Sequence, residues 1–413
     1  MIDERTDEQK AKSKRVHAMV MIILGAIMSV CALAAGLIAM SPGVFPSWMT
    51  GGWGRRETPA YRVPGKMRAA FTEFYPGALS RAKVQHRLIL LHLSPSWSRE
   101  ARIMEETTYA DPETAKWIDA NLIATRADSD ERPDLAYLYG VGAWPTTALI
   151  YHDGRPLAGA ARLTPRLFLP WAGLVMSTLA ADPAKADGFA ADARQRLGAV
   201  RRKPELPPGP DDPVWGGAYR SGTEYAKILG DQANVVLSSD TKRAKAALSF
   251  VERFMAIPGG GYAASMRGEL ELKDGRVEEG FSYFSKDDAA RRAEGVPFID
   301  RRIFSGPNAD MARAVILSRV SSDAQRAHAR QTLDFVWTRF VRDGYVSHLA
   351  GGLTDWPADQ WSVIEAELAA GRPDRARAVF ARQDTAALRA MGPNPYVDAL
   401  RRRLKGKEKP RSR

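Results

Sequence analysis

Residues 87–94, "RLILLHLS", are apolar at nearly every position, which is the pattern of a strand covered on both faces. The polar turn "SPSWS" follows, and from about Arg99 apolar residues recur at helical spacing in "REARIMEE". Similar patterns alternate from Met67 to Leu179. "PETAKWIDANL" predicts a helix, "LIATRADSD" a strand running into a polar turn, and "DLAYLYGV" a short helix. "TTALIYHDGRPL" predicts a hairpin turning at Asp153 and Gly154, and "TPRLFLPWAGLVMSTLA" a closing helix that Thr164 is placed to cap. Alternation ending in a hairpin and a helix indicates a small α/β domain over residues 66–182.

Residues 183–213 read as a helix and a linker, since "KPELPPGPDDP" holds five prolines and excludes helix or inner strand. Residues 214–400 are mostly helical in pattern. "ARQTLDFVWTRFV" sets Ala329, Leu333, Val336, Trp337, Phe340 and Val341 on one stripe. "DQWSVIEAELAAGRPDRARAVFARQ" predicts two helices, the second starting at Pro373. Paired helices with glycine-rich turns suit an array of α-hairpins, interrupted by an irregular hairpin in "GGGYAASMRGELELKDGRVEEGFSYF".

Residues 18–40 carry no charge, a length sufficient to cross a bilayer as a helix. Lys10, Lys12, Lys14 and Arg15 precede this run, and no basic residue follows until Arg55. The positive-inside rule keeps residues 1–17 in the cytoplasm and translocates the rest, through a stalk at 41–65. The small residues of "ALAAGLIAM" also suit a cleavable signal peptide, but the apolar run is long for one. The expectation is a single-pass signal anchor in a bacterial inner membrane, with the main domains periplasmic.

Composition then narrows the chemistry. The one cysteine, Cys31, lies inside the apolar run, so an intrachain disulfide, a CxxC motif and a cysteine-based zinc site are all excluded. No residue pattern calls for a cofactor or a metal. The net charge of +12, from 60 basic and 48 acidic residues, owes part of its excess to "RRRLKGKEKPRSR" at 401–413, read as a disordered tail. Such a tail suits contact with anionic lipid or plain solvation, and the translocated topology argues against nucleic acid.

Three ordered motifs carry a resemblance. Met104-Glu105, the run Asp128, Glu131, Arg132, Pro133, Asp134, and Gly142-Ala143-Trp144-Pro145 resemble the thioredoxin-like domain of the family that includes spermatogenesis-associated protein 20 and its bacterial relatives. The resemblance implies a thioredoxin-like fold with a cis-proline at Pro145, followed by an α/α toroid similar to those of sugar epimerases and some glycosidases. It also places Ser98 and Ala101 where the family has two cysteines. A thiolate attacks a disulfide and a second thiol resolves the product, so serine and alanine do not carry that chemistry. Ser98 has a structural task available as the N-cap of the helix it opens. Arg132 would pair with a carboxylate while Pro133 starts a helix.

The fold expectation is therefore a transmembrane helix, an α/β thioredoxin-like domain, and an all-α partial toroid shortened by the available length. Trp97, Arg99, Trp144 and Pro145, with Asp128 and Glu131 as a polar rim, form the candidate surface for a protein partner in the envelope. The competing expectation is a carbohydrate-active enzyme using Glu278, Glu279, Asp310, Asp355 and Asp359, paired acids flanked by Trp356 and Trp361. A carbohydrate groove lined by Trp356, Trp361 and Tyr262 is a further expectation of the same kind, and two of those carboxylates facing one pocket would mark the enzyme.

Overall fold

The computed structural model describes residues 67–201, 208–221, 223–352, 356–383 and 395–404. Its α/β part contains β1 (Thr72–Glu73), α1 (Pro76–Gln85), β2 (Leu88–Ser94), α2 (Arg99–Thr107), α3 (Pro112–Asn121), β3 (Leu122–Asp128), α4 (Pro133–Tyr139), β4 (Thr146–Ile150), β5 (Pro156–Ala161), α5 (Pro165–Ala181) and α6 (Lys185–Arg201). The five strands form one sheet in the order β1-β3-β2-β4-β5. β1 and β2 flank β3 in parallel, and β4 and β5 run antiparallel to their neighbours.

Every residue of β2 is buried, as its continuous apolar run requires of a central strand. Its alternate side chains serve two cores. Leu88 and Leu90 pack with Met104, Tyr109, Ile118 and Phe168 on one face. Ile89, Leu91 and Leu93 pack with Ala78, Ala82, Ile123 and Leu135 on the other. Register then decides where the loops fall. Ser94 stands opposite Asp128 and Leu93 opposite Thr146, so β2 and β3 end, and β4 begins, at one edge of the sheet. The turn before α2, the turn before α4 and Pro145 are thereby side by side.

The remaining chain of this unit holds β6 (Lys227–Ile228), α7 (Leu229–Leu237), α8 (Thr241–Phe250) with a π-helical turn (Val251–Met255), β7 (Ser265–Met266), β8 (Leu270–Glu271), β9 (Val277–Glu278), α9 (Gly280–Phe284), α10 (Asp288–Glu294), β10 (Ile299–Asp300), α11 (Ser305–Leu317), α12 (Asp323–Phe340), β11 (Val341–Arg342), β12 (Tyr345–Val346), α13 (Pro357–Ala369) and α14 (Pro373–Gln383). α11 is the hub, packed against α7, α12 and α13. The part is not all-α: two-residue strands pair as β10-β7-β6, β8-β9 and β11-β12, closing the loops between helices.

Near its beginning a fully buried ion triad sets the core of this part. Asp212 Oδ2 accepts from Lys227 Nζ at 2.7 Å and from Arg291 Nη1 at 2.8 Å, and both cations have no exposed side-chain surface. Lys227 Nζ also lies 4.2 Å above the centre of the Phe250 ring. Burial pulls the Lys227 ammonium down to about 8, with Asp212 restoring part of the loss. Burial opposes ionisation of Asp212, but the two cations hold its carboxyl below the usual range. The adjacent Gly216 and Gly217 take φ of 73° and 77°. A Cβ on Gly216 would meet the Ala246 carbonyl oxygen at 2.4 Å, so the "WGGAY" turn needs glycine there.

Two expectations change, and a third is not tested. Thr164 occupies the N-cap of α5, but its side chain makes no capping hydrogen bond. Arg401 to Leu404, expected in a disordered tail, are the last turn of α15 (Pro395–Leu404), because arginine and leucine propagate a helix well. α15 belongs to a separate compact unit and is described by itself. The expected anchor at 18–40 lies outside the described residues; among those described, no helix is long and apolar enough to cross a membrane.

Asp212→Ala would leave two buried cations without a counter-charge. Chemical denaturation should show a loss of about 3–5 kcal/mol.

Candidate functional site at the start of α2

Ser98 is the N-cap of α2, with φ −75° and ψ 114°, and its Oγ accepts from the Ala101 amide at 3.3 Å. Ala101 is fully buried and offers no functional atom. Trp97 is buried too, and its Nε1 donates to Asp130 Oδ2 at 3.0 Å. The Trp144–Pro145 peptide is cis, as expected, and Pro145 lies at the same sheet edge. The Trp144 carbonyl accepts from Arg162 Nε at 3.3 Å, so the loop before the cis-proline has one backbone group already engaged.

The chain's own helical part occupies this corner. Glu224 Oε1 accepts from Ser98 Oγ at 3.2 Å and Glu224 Oε2 from the Arg99 amide at 3.1 Å. The Glu100 amide reaches Glu224 Oε1 at 3.5 Å. The first amides of a helix have no intrahelical acceptor and sit at the positive end of its dipole, so a carboxylate suits them. Burial pushes the Glu224 carboxyl above its usual value, against the lowering by the Arg99 and Glu100 amides and Ser98. One turn on, Arg102 grips Glu269 with two parallel bonds of 2.6 and 2.8 Å and also reaches Glu106 at 2.8 Å. Arg99 pairs with Glu279. Hydrogen bonding to these carboxylates raises both guanidinium pKa values.

A second seam lies beside the first. Arg302 joins Asp128 at 2.8 Å, Glu131 at 2.8 Å and, through Nε at 2.9 Å, Asp300. Ser96 Oγ donates to Asp300 Oδ2 at 2.9 Å, and Arg267 Nε donates to the Ser96 carbonyl at 3.2 Å. His348 spans the seam, with Nδ1 at 2.7 Å from Asp359 Oδ2 and Nε2 at 2.6 Å from the Asp130 carbonyl. Burial lowers the His348 pKa, but Asp359 and Asp130 together more than offset it and the net shift is upward. Burial also raises Asp130, to about 8, with Asp128 and Asp300 adding repulsion and Arg302 relieving it. Arg132, as expected, pairs with a carboxylate: its Nε reaches Asp134 Oδ1 at 2.8 Å.

The described carboxylates considered for sugar chemistry are each engaged by a partner of their own. Glu279 serves the α2 arginines, Glu278 accepts from Ser282 at 2.7 Å and pairs with Lys286, and Asp310 accepts from Ser362 at 2.9 Å. Asp359 holds His348, and Asp355 lies outside the described residues. Trp361 packs on Phe380, and Trp356 meets Tyr137 of α4 edge-on at 5.9 Å between ring centres. Tyr262 is 3% exposed, so it lines no open groove. Among the described residues no group of three or more His, Cys, Asp or Glu could hold a metal ion.

Residues 63–175, about a quarter of the chain, match the profile of a family described as "Thioredox_DsbH: Protein of unknown function, DUF255". Together with the strand order and cis-Pro145 this decides the fold. The α/β part is a thioredoxin-like domain. Ser98 and Ala101 stand at the start of its α2, where Glu224 meets the helix end. The chain is also similar to the uncharacterized protein B0495.5 of Caenorhabditis elegans, 29% identical over 104 residues that make up 22% of this chain and 14% of that protein. The chain thus spans a small part of that relative's length. Among solved structures it is similar to a DsbH oxidoreductase, at 16% identity and TM-score 0.25, covering 30% of this chain and 94% of that one. A thioredoxin from Thermus thermophilus follows at 20% identity and TM-score 0.24, covering 27% and 88%.

Sequence reasoning missed Glu224, Glu269, Asp300 and Arg302, which come from loops and short strands far along the chain. Glu224→Ala leaves the Ser98 hydroxyl and the α2 amides without their anion, and should lower stability by about 2 kcal/mol in denaturant titration. Asp130→Asn keeps an acceptor for Trp97 while removing the ionisation. A carboxyl raised by folding stabilises the native state at low pH and loses that contribution as pH climbs from the ordinary carboxylate range through about 8. Thermal unfolding of the wild type should therefore fall off across that window relative to Asp130→Asn.

Proposed function

We propose that this protein is a redox-inactive, thioredoxin-like scaffold, anchored in a bacterial inner membrane by residues 18–40 with its folded part outside the cytoplasm. The observation that carries the reading is Glu224 on the first turn of α2, with Ser98 and Ala101 where thiols would be needed. A carboxylate in that position takes up the electropositive helix end that would otherwise lower a thiol pKa. The resemblance to the family of spermatogenesis-associated protein 20 supports a second part of partial α/α-toroid type. In this reading the domain keeps the shape of a redox module and uses its corner to seat the helical part.

The partner is a protein of the envelope. Trp97 is buried and Arg99 is held by Glu279, which leaves the half-exposed Trp144 as the open side of the expected surface. The carbohydrate-active alternative is not favoured, because the described candidate carboxylates are committed to separate partners.

Affinity purification of the full chain from membranes in mild detergent, followed by mass spectrometry, tests the scaffold reading. One envelope protein should be recovered reproducibly and lost with Trp144→Ala. Recovery of no reproducible partner would contradict it.

A further inference from the structure

α5 has a face that its own domain leaves uncovered. Phe168, Ala172 and Val175 point into the core. The opposite stripe, Leu167, Pro170, Leu174, Ser177 and Ala181, is exposed at every position, with Leu167 at 57% and Leu174 at 66%. From Leu167 to Ala181 the helix carries no charge. A surface helix in water normally sets charged residues opposite its buried stripe.

The polar side chains near this face do not turn outward for partners. Ser177 Oγ and Thr178 Oγ1 both donate to the Leu174 carbonyl, at 3.2 and 2.7 Å. Hydroxyls bonded to their own helix can enter an apolar medium without leaving a donor unsatisfied. Charge returns only at the ends, with exposed Arg162 and Arg166 around the start of α5, and exposed Asp182, Lys185 and Asp187 at and beyond its end. An uncharged apolar stripe with a basic start is the form of a helix lying in a bilayer interface, its residues among the acyl chains and its two arginines at the headgroups.

We propose that α5 rests on the surface of an anionic phospholipid bilayer, docking the thioredoxin-like domain flat on the membrane. The inference rests on the anchored reading above. Residues 41–66 join the apolar run to Met67, and 26 residues give ample reach for the domain to turn α5 toward the bilayer. The large side chains inserted would hold a tethered domain that the linker already keeps near the surface.

The test uses the full chain carrying Cys31→Ser and Leu174→Cys, with a nitroxide on the new thiol, in vesicles of phosphatidylethanolamine and phosphatidylglycerol. Power saturation compares access to oxygen with access to a water-soluble nickel chelate. The same label at Val84→Cys on α1, a position 79% exposed, gives the aqueous reference. The label at 174 should favour oxygen over nickel, reversing the ratio at 84. Equal ratios at the two positions would overturn the proposal. So would dipolar broadening at 174 that grows with the protein-to-lipid ratio, since a second copy would then cover the face. Extraction of the vesicles with alkaline carbonate reads the anchor separately: release of the chain there refutes residues 18–40 as an anchor, whatever the label at 174 reports about α5.

Discussion

The first turn of α2 concentrates positive charge, from free amides at the end of a helix dipole and from the Arg99 and Arg102 guanidinium groups. In a redox-active relative of such a fold this field would stabilise a thiolate. Here three carboxylates answer it, Glu224, Glu269 and Glu279, all supplied by the helical part of the same chain. A helix start without a thiol and a corner filled by carboxylates are, in the proposed reading, two aspects of one arrangement. A helix start this electropositive, at a seam between two packed parts, would be costly to bury without anions.

The second seam uses the opposite logic. Asp128, Glu131 and Asp300 converge on Arg302, and Asp130 adds a further carboxyl alongside. Burial, and then the neighbouring Asp128 and Asp300, raise the Asp130 carboxyl, while Arg302 relieves part of the rise. His348 ties this region to α13 through Asp359, while Phe304 stacks on its ring at 4.9 Å. The two parts are thus joined by charge patterns that leave little freedom in their register.

Much of the α/β part could be read directly from residue patterns. The unbroken apolar run of β2 and the Asp153-Gly154 turn specify strands whose register brings Trp97, Asp128 and Pro145 to one edge. The cis peptide followed from the resemblance and not from any pattern. Ser98 as an N-cap was legible because capping is local chemistry. Glu224 was not: it lies in the polar stretch "SGTEY", where one more glutamate carries no periodic signal, and its partner is 126 residues away. Arg302 was hidden for the same reason. Arg401 to Leu404 were misjudged because clustered charge suggested a solvated tail, whereas arginine is also a strong helix former. Tyr262 looked like a groove residue because aromatics next to glycines suit either a loop or a core.

The central claim is that the corner where a redox site would stand is covered by the chain's own helical part. A cysteine placed at Ser98 in a Cys31→Ser background tests it through the rate of alkylation of the native protein. The account predicts labelling far slower than for a cysteine at exposed Val84, with acceleration when Glu224→Ala is added. Equal rates at the two positions would contradict it.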